Sequence, residues 1–268
     1  MAAILHRLGR YLLYATALTP VIFIGSFYFP FIVPRTIYFR LITGLVFIIF
    51  LILWRRGSPP IAGRINWKKN YASLAIGLLL LSDLLSSVFG LSFINSVFGD
   101  IERSWGLYTL AHLYLFYFLL RVFFVGRDWK IFIHCLVGSA SAAALYGIIQ
   151  YYPKVFHIVL FQSGPGRILS TLGNPAYASI IFIFGVGWSL WLWFNNRAGR
   201  WRYVYPLLAV INAFALTLTD IRGAYLGFLA GLTLALIILI ITASSLRLKR
   251  RSAGLLLLLL MAGALVAA

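Results

Sequence analysis

Long apolar runs separated by short polar stretches dominate the chain. Each run has 17–21 residues, which at a rise of 1.5 Å per residue matches a hydrocarbon core about 30 Å thick. The runs cover residues 11–29, 36–54, 71–89, 105–121, 131–149, 176–194, 203–219 and 223–243, and a ninth begins near residue 253. The pattern predicts an all-α, polytopic transmembrane helical bundle of about nine spans.

Composition excludes a water-soluble globular protein. The 268 residues are 62% hydrophobic and 10% charged, with a mean hydropathy of +0.96. A soluble domain has about 45–50% apolar and about 25% charged residues. No segment is polar enough for a soluble domain, so we expect residues 1–268 to form a single membrane-embedded domain.

Basic residues predict the orientation of the bundle. Most of the 23 Lys and Arg residues fall in clusters after every second span, as the positive-inside rule requires of cytoplasmic loops. The N-terminus is therefore predicted to be cytoplasmic, and the net charge of +18 reflects topology rather than a nucleic-acid partner. The predicted cytoplasmic set is Arg7, Arg10, Arg55, Arg56, Arg64, Lys68, Lys69, Arg121, Arg127, Lys130, Arg197, Arg200, Arg202, Arg247, Lys249, Arg250 and Arg251.

The remaining charges are expected near the outer face, where any charge chemistry would be concentrated. Of the acids, only Asp128 is predicted inside. The outer basic residues are Arg35, Arg40, Arg103, Lys154, Arg167 and Arg222, and the outer acids are Asp83, Asp100, Glu102 and Asp220.

The segment 167–178 is a candidate anion site. Gly173 and Asn174 permit unusual backbone angles, and Pro175 suits the first position of a helix. The N-terminus of that helix would point outward with its positive dipole end, beside the cation of Arg167. A phosphate could bind there. An ordinary loop with an arginine that reaches the interface is the alternative.

The segment 219–225 places two charges between apolar runs with almost no loop. Charges near membrane depth are costly, so they pair or serve a site. Asp220 and Arg222 are two positions apart and would not share a helical face, so Arg222 is expected to face another group. Gly223 and Gly227 predict close packing against a neighbouring helix. A tight turn with a local ion pair is the alternative.

Two longer outer segments complete the pattern. They cover about residues 90–104 and 150–175. Residues 100–109 hold three charges before a span and are typical of an interfacial cap, and the apolar middle of the second segment, residues 155–161, suits an interfacial helix. His157 is the only histidine expected outside. The sequence has no His/Cys cluster with metal-ligand spacing, so neither a metal nor a cofactor is expected.

Three segments taken in order resemble the bacterial O-antigen ligase and O-antigen polymerase superfamily over roughly residues 70–245. The segments are Gly-Asp-Ile-Glu-Arg-Ser-Trp-Gly-Leu-Tyr-Thr (99–109), Arg-Ile-Leu-Ser-Thr-Leu-Gly-Asn-Pro-Ala-Tyr-Ala (167–178) and Ile-Arg-Gly-Ala-Tyr-Leu-Gly-Phe-Leu-Ala-Gly (221–231). Two positions depart from the family pattern: Ala176 replaces the Asn of Gly-Asn-Pro-Asn, and Ile221 replaces the Ser before Arg-Gly.

The resemblance implies a glycosyltransferase of the bacterial inner membrane. Such an enzyme moves a glycan from an undecaprenyl-diphosphate carrier to an acceptor, such as lipid A core or another glycan, at the periplasmic face. It needs no nucleotide sugar and no metal. Arg167 and Arg222 match arginines thought to engage the lipid diphosphate, whose developing charge fixed guanidinium groups would stabilise. Candidates for supporting roles are Asn174, Asp220, Arg103 and His157.

The acceptor hydroxyl would also need a general base. In the ligases a histidine in a large periplasmic loop has this role, and no such loop precedes Ala268. We therefore expect the base to lie beyond Ala268 and the chain to be an N-terminal portion that is inactive on its own. The alternatives are an O-antigen polymerase, a transporter or flippase for lipid-linked glycan, and a non-catalytic scaffold.

Overall fold

A computed structural model describes residues 1–60, 71–100, 104–158, 160–161, 166–195, 199–242, 244–246, 249–250 and 253–254. Within these ranges all regular secondary structure is helical, and there is no β-strand. The α-helices are α1 (Ala2–Ala15), α2 (Val33–Arg55), α3 (Tyr71–Val88), α4 (Phe93–Phe98), α5 (Leu107–Phe123), α6 (Gly126–Tyr151), α7 (Pro153–Phe156), α8 (Pro175–Asn195), α9 (Trp201–Thr217) and α10 (Arg222–Thr242). Two 3₁₀ segments cover Thr16–Val21 and Ser170–Leu172.

Five of these helices, α2, α3, α6, α8 and α10, are long and apolar enough to cross a membrane. The prediction of an all-helical fold is confirmed for the described residues, and so is the prediction that several helices are long and apolar enough to span a membrane. Helices α5 and α9 match two further apolar runs but have 17 residues each. The run that begins near residue 253 lies almost wholly outside the described residues, so the count of nine spans stays a prediction.

The first apolar run differs from its prediction, because residues 11–29 do not form one helix. Helix α1 already begins at Ala2, and the chain changes to a 3₁₀ helix at Thr16. The hydroxyls of Thr16 and Thr19 each donate to the carbonyl three residues earlier, and Pro20 has no N–H to continue an α-helix. The two segments together extend roughly 33 Å, about the thickness of a hydrocarbon core.

Basic residues of the two predicted sets lie at opposite ends of helix α2. Helix α2 has Arg35 in its first turn and Arg55 in its last. At the Arg55 end, Arg10 on α1 pairs with Asp128 on α6 at 3.5 Å, and the Asp128 side chain is 4% exposed. Asp128 also accepts hydrogen bonds from the Tyr14 hydroxyl and the Val125 N–H. The one acid predicted inside therefore joins α1 to the start of α6, while the cytoplasmic assignment of this end stays a prediction.

Helix α6 lies at the centre of the bundle and packs against α8, α9 and the first 3₁₀ segment. Small side chains on α6 and its neighbours permit this close packing, and two residues from the segment before α8 complete the same core. The core comprises Ala143, Ala144, Ile168, Leu172, Ala178, Phe182, Ala215 and Leu216. The loop that carries Arg167 is therefore anchored in the core of the bundle.

Helices α3 and α10 pack loosely against the other described residues. In α3 and α10 only 6% of the apolar stretch is buried, so most of each helix surface is available to lipid. An interfacial helix was expected in the apolar run 155–161, but the described residues there form only the four-residue helix α7, which ends at Phe156. It ends because His157 adopts a left-handed conformation, with φ of +53°.

Candidate functional site

The segment between α7 and α8, residues 166–174, is referred to below as the arginine loop. Ile168 is fully buried and Leu172 is 5% exposed, whereas Arg167 is exposed. Two apolar side chains thus fix the loop to the core, and the guanidinium group of Arg167 remains free to meet a ligand.

Gln150, near the end of α6, holds the backbone of the arginine loop. Its side-chain oxygen accepts the N–H groups of Leu169 and Ser170 at 3.1 and 2.8 Å, and its side-chain nitrogen donates to the Phe161 carbonyl at 3.0 Å. Because Gln150 is only 2% exposed, water does not reach its amide, and these three hydrogen bonds satisfy the buried polar groups instead. Sequence analysis did not identify this role, although an amide directly after an apolar run was a signal for it.

The arginine loop comes very close to helix α6 at Gly147. A Cβ at this position would lie 2.9 Å from Ile168 Cδ1 and 3.3 Å from Ser170 Cβ. The hydroxyl of Ser170 donates to the Ala143 carbonyl at 2.6 Å, one turn earlier on the same helix. Glycine at 147 therefore leaves room for the loop to lie directly on α6, and a large side chain there would press against Ile168 and Ser170.

A backbone hydrogen bond joins the arginine loop to the turn between α9 and α10. The N–H of Ile168, directly after Arg167, donates to the carbonyl of Leu218 at 3.1 Å. Arg222, four residues after Leu218, is the first residue of α10. The structure thus brings together the two segments that carry the predicted diphosphate-binding arginines.

The turn itself is tight. Thr219 is fully buried and its hydroxyl donates to the Leu216 carbonyl at 2.8 Å, while Asp220 is exposed in a left-handed conformation with φ of +50°. Within the described residues, no ion pair joins Asp220 to Arg222, so the alternative of a local pair is not formed. Arg222 is exposed at the helix end.

The entry into α8 follows the predicted pattern. Gly173 has φ of +71°, and a Cβ there would overlap the Phe31 ring, so only glycine fits. Helix α8 begins at Pro175 as predicted. The Asn174 side chain accepts the Ala176 N–H at 2.8 Å, so one of the first N–H groups of the helix is already capped.

Arg35 is a further cation at this end of the bundle, and sequence analysis did not assign it to the site. Its guanidinium donates to the Thr171 carbonyl at 2.9 Å, and its Nε is buried without a hydrogen-bond partner among the described residues. The Thr171 hydroxyl donates in turn to the Pro20 carbonyl at 2.7 Å. Arg35 therefore connects α2 to the arginine loop.

A cavity of about 190 Å³ lies beside the arginine loop. Its walls come from the segment before α2 and from the start of α8, and they include the predicted residue Asn174. The lining residues are Phe29, Pro30, Phe31, Ile32, Leu172, Gly173, Asn174 and Tyr177. The space could hold a group the size of a phosphate or a sugar ring.

The remaining expectations concern Arg103, His157 and the glycine face of α10. Arg103 lies outside the described residues. His157 is exposed directly after α7. At Gly223 and Gly227 an added Cβ would have no neighbour within 4 Å, so the close packing expected on this face of α10 is not formed by the described residues.

Comparison with known proteins gives no match: no protein-family model, curated protein or solved structure matches the chain. The likeness to the O-antigen ligase and polymerase superfamily therefore depends on the three sequence segments alone, and membership of that superfamily stays a prediction.

Proposed function

We propose that this chain takes part in moving a glycan from an undecaprenyl-diphosphate carrier to an acceptor at the periplasmic face of the bacterial inner membrane. The supporting observation is the hydrogen bond between Ile168 N–H and Leu218 O, which ties the Arg167 loop to the Arg222 turn. A diphosphate offers two adjacent anionic groups, and two cations on neighbouring anchored segments suit such a ligand.

The chemistry assigned to the arginines is stabilisation of the leaving group. As the glycosidic bond breaks, negative charge develops on the diphosphate oxygens, and nearby guanidinium groups lower the energy of that state. Gln150, Ile168 and Ser170 hold the loop before substrate arrives, so little reorganisation is needed during the reaction.

The orientation belongs to the proposal. The positive-inside distribution favours a cytoplasmic N-terminus, and the arginine loop lies at the opposite end of the bundle from the Arg10–Asp128 pair. That arrangement would expose the site to the periplasm. The base that accepts the proton of the acceptor hydroxyl is not assigned to any residue of this chain.

The test is a transfer assay in proteoliposomes with the full-length protein, a polyprenyl-diphosphate donor carrying a labelled glycan, and an acceptor. We expect the label to appear on the acceptor as free polyprenyl diphosphate is released. Label on lipid A core would indicate a ligase, and label on a second lipid-linked glycan would indicate a polymerase. Movement of intact donor between leaflets without release would contradict the proposal and favour a flippase.

A further inference from the structure

A groove on the membrane-facing side of the bundle runs between α2 and the start of α5. It is an open groove with a volume of about 480 Å³, and it is lined by Ile37, Arg40, Leu41, Gly44, Leu45, Ile48, Tyr108 and His112. The four large aliphatic residues lie on one face of α2, and each is exposed by 42% to 60%. Most of the groove is therefore an apolar surface open to the bilayer.

The outer end of the groove is cationic. Arg40 donates to the Ser104 carbonyl at 3.0 Å and to the Thr109 hydroxyl, and its guanidinium carbon lies 4.8 Å from the centre of the Tyr108 ring. These contacts fix the guanidinium group at the mouth of the groove. Within the described part of the chain, no carboxylate pairs with Arg40, and its buried Nε has no hydrogen-bond partner.

His112 adds a second polar group beside Arg40. Its Nδ1 donates to the Tyr108 carbonyl at 2.8 Å, because a carbonyl can only accept. The imidazole Nε2 has no partner among the described residues and remains available to a headgroup. The groove thus joins a fixed cation, which no described carboxylate pairs with, to an apolar channel that extends from Arg40 to Ile48, about 12 Å along the helix.

We propose that this groove is a binding site for an acidic phospholipid of the bilayer. Arg40 binds the headgroup phosphate, and one acyl chain lies along Leu41, Leu45 and Ile48. The charge of the lipid complements a cation that no protein carboxylate neutralises among the described residues, and the chain covers apolar surface that the protein leaves open. The site is separate from the arginine loop, and the proposal does not depend on glycan transfer.

Headgroup charge and acyl chain are both needed for this site. A zwitterionic lipid carries its own ammonium group, which competes with Arg40 for the phosphate. A soluble phosphate ester would meet the cation but would leave the apolar channel uncovered. The geometry therefore predicts preference for phosphatidylglycerol over phosphatidylcholine and over glycerol 3-phosphate.

Native mass spectrometry of the purified full chain would measure this preference with lipids of identical acyl chains. We expect phosphatidylglycerol to bind about tenfold more tightly than phosphatidylcholine, and glycerol 3-phosphate not to bind detectably. Arg40→Gln should remove the tenfold preference. Arg55→Gln takes the same charge from the other end of α2 and should leave the preference unchanged.

A second pair of variants tests the apolar channel without changing charge. A Cβ at Gly44 would meet nothing within 4 Å, so Gly44→Leu should fold and fill the groove. Gly77 on α3 is equally open and serves as the control, as Gly77→Leu. We expect Gly44→Leu to weaken phosphatidylglycerol binding about tenfold and Gly77→Leu to have no effect. Equal binding of the two phospholipids, or unchanged binding in both Arg40→Gln and Gly44→Leu, would overturn the proposal.

Discussion

Replacing Arg167 or Arg222 with alanine is expected to reduce glycan transfer at least about 100-fold while leaving membrane insertion intact. Each substitution removes a cation that would stabilise the diphosphate leaving group. Both side chains are exposed, so their loss should cost little folding stability. The measurement is the rate of label transfer in proteoliposomes that contain equal amounts of each protein.

Lys154→Ala is a matched control for these variants. Lys154 is an exposed cation on α7, close in sequence to the arginine loop but outside the predicted site. Its removal changes the net charge of the same end of the bundle by the same amount, and we expect less than about a twofold change in transfer. Unchanged transfer in both arginine variants, or an equal loss in Lys154→Ala, would contradict the assignment of the diphosphate to Arg167 and Arg222.

Gly147→Leu is expected to reduce transfer about tenfold or more and to lower the melting temperature. The Cβ of a side chain at this position would lie 2.9 Å from Ile168 and 3.3 Å from Ser170, and the added bulk would lift the arginine loop from α6. Overpacking of this kind costs about 1–3 kcal/mol, and a displacement of about 1 Å can cost about 100-fold in rate. Thermal unfolding in detergent and the transfer assay would measure both effects.

Gly138→Leu provides the control on the same helix. A Cβ at Gly138 would have no neighbour within 4 Å, and leucine has a higher helix propensity than glycine. We therefore expect Gly138→Leu to match or exceed the stability of the natural chain and to keep its activity. If Gly147→Leu were as stable and as active as Gly138→Leu, the close contact between the loop and α6 would have no functional importance.

Hydropathy was sufficient to predict most of the helices. The apolar runs at 36–54 and 71–89 correspond to α2 and α3 with ends that agree within three residues, because lipid-facing helices need only length and apolar composition. The first run was misplaced by the same criterion. Helix α1 begins within the basic N-terminal segment, the chain changes to a 3₁₀ helix at Thr16, and helical geometry ends after Val21, which a hydropathy window does not detect.

In the candidate site, too, some features could be predicted from the sequence and others could not. The turn residues Gly173 and Pro175 follow local rules of backbone conformation, so the start of α8 could be predicted. The roles of Gln150, Gly147 and Arg35 depend on which distant segments meet, and a single sequence does not record those contacts. The hydrogen bond between Ile168 and Leu218 could not be predicted for the same reason, because it joins residues 50 positions apart.

The most direct test of the central claim is the affinity of the protein for a short polyprenyl diphosphate, measured by titration calorimetry in detergent. The natural chain, Arg167→Ala, Arg222→Ala and the double variant would be compared, with the polyprenyl monophosphate as a second ligand. If both arginines bind one diphosphate, each single substitution should weaken diphosphate binding about tenfold or more, and the double variant should bind both ligands equally weakly. Diphosphate affinity that is unchanged in all three variants would contradict the account.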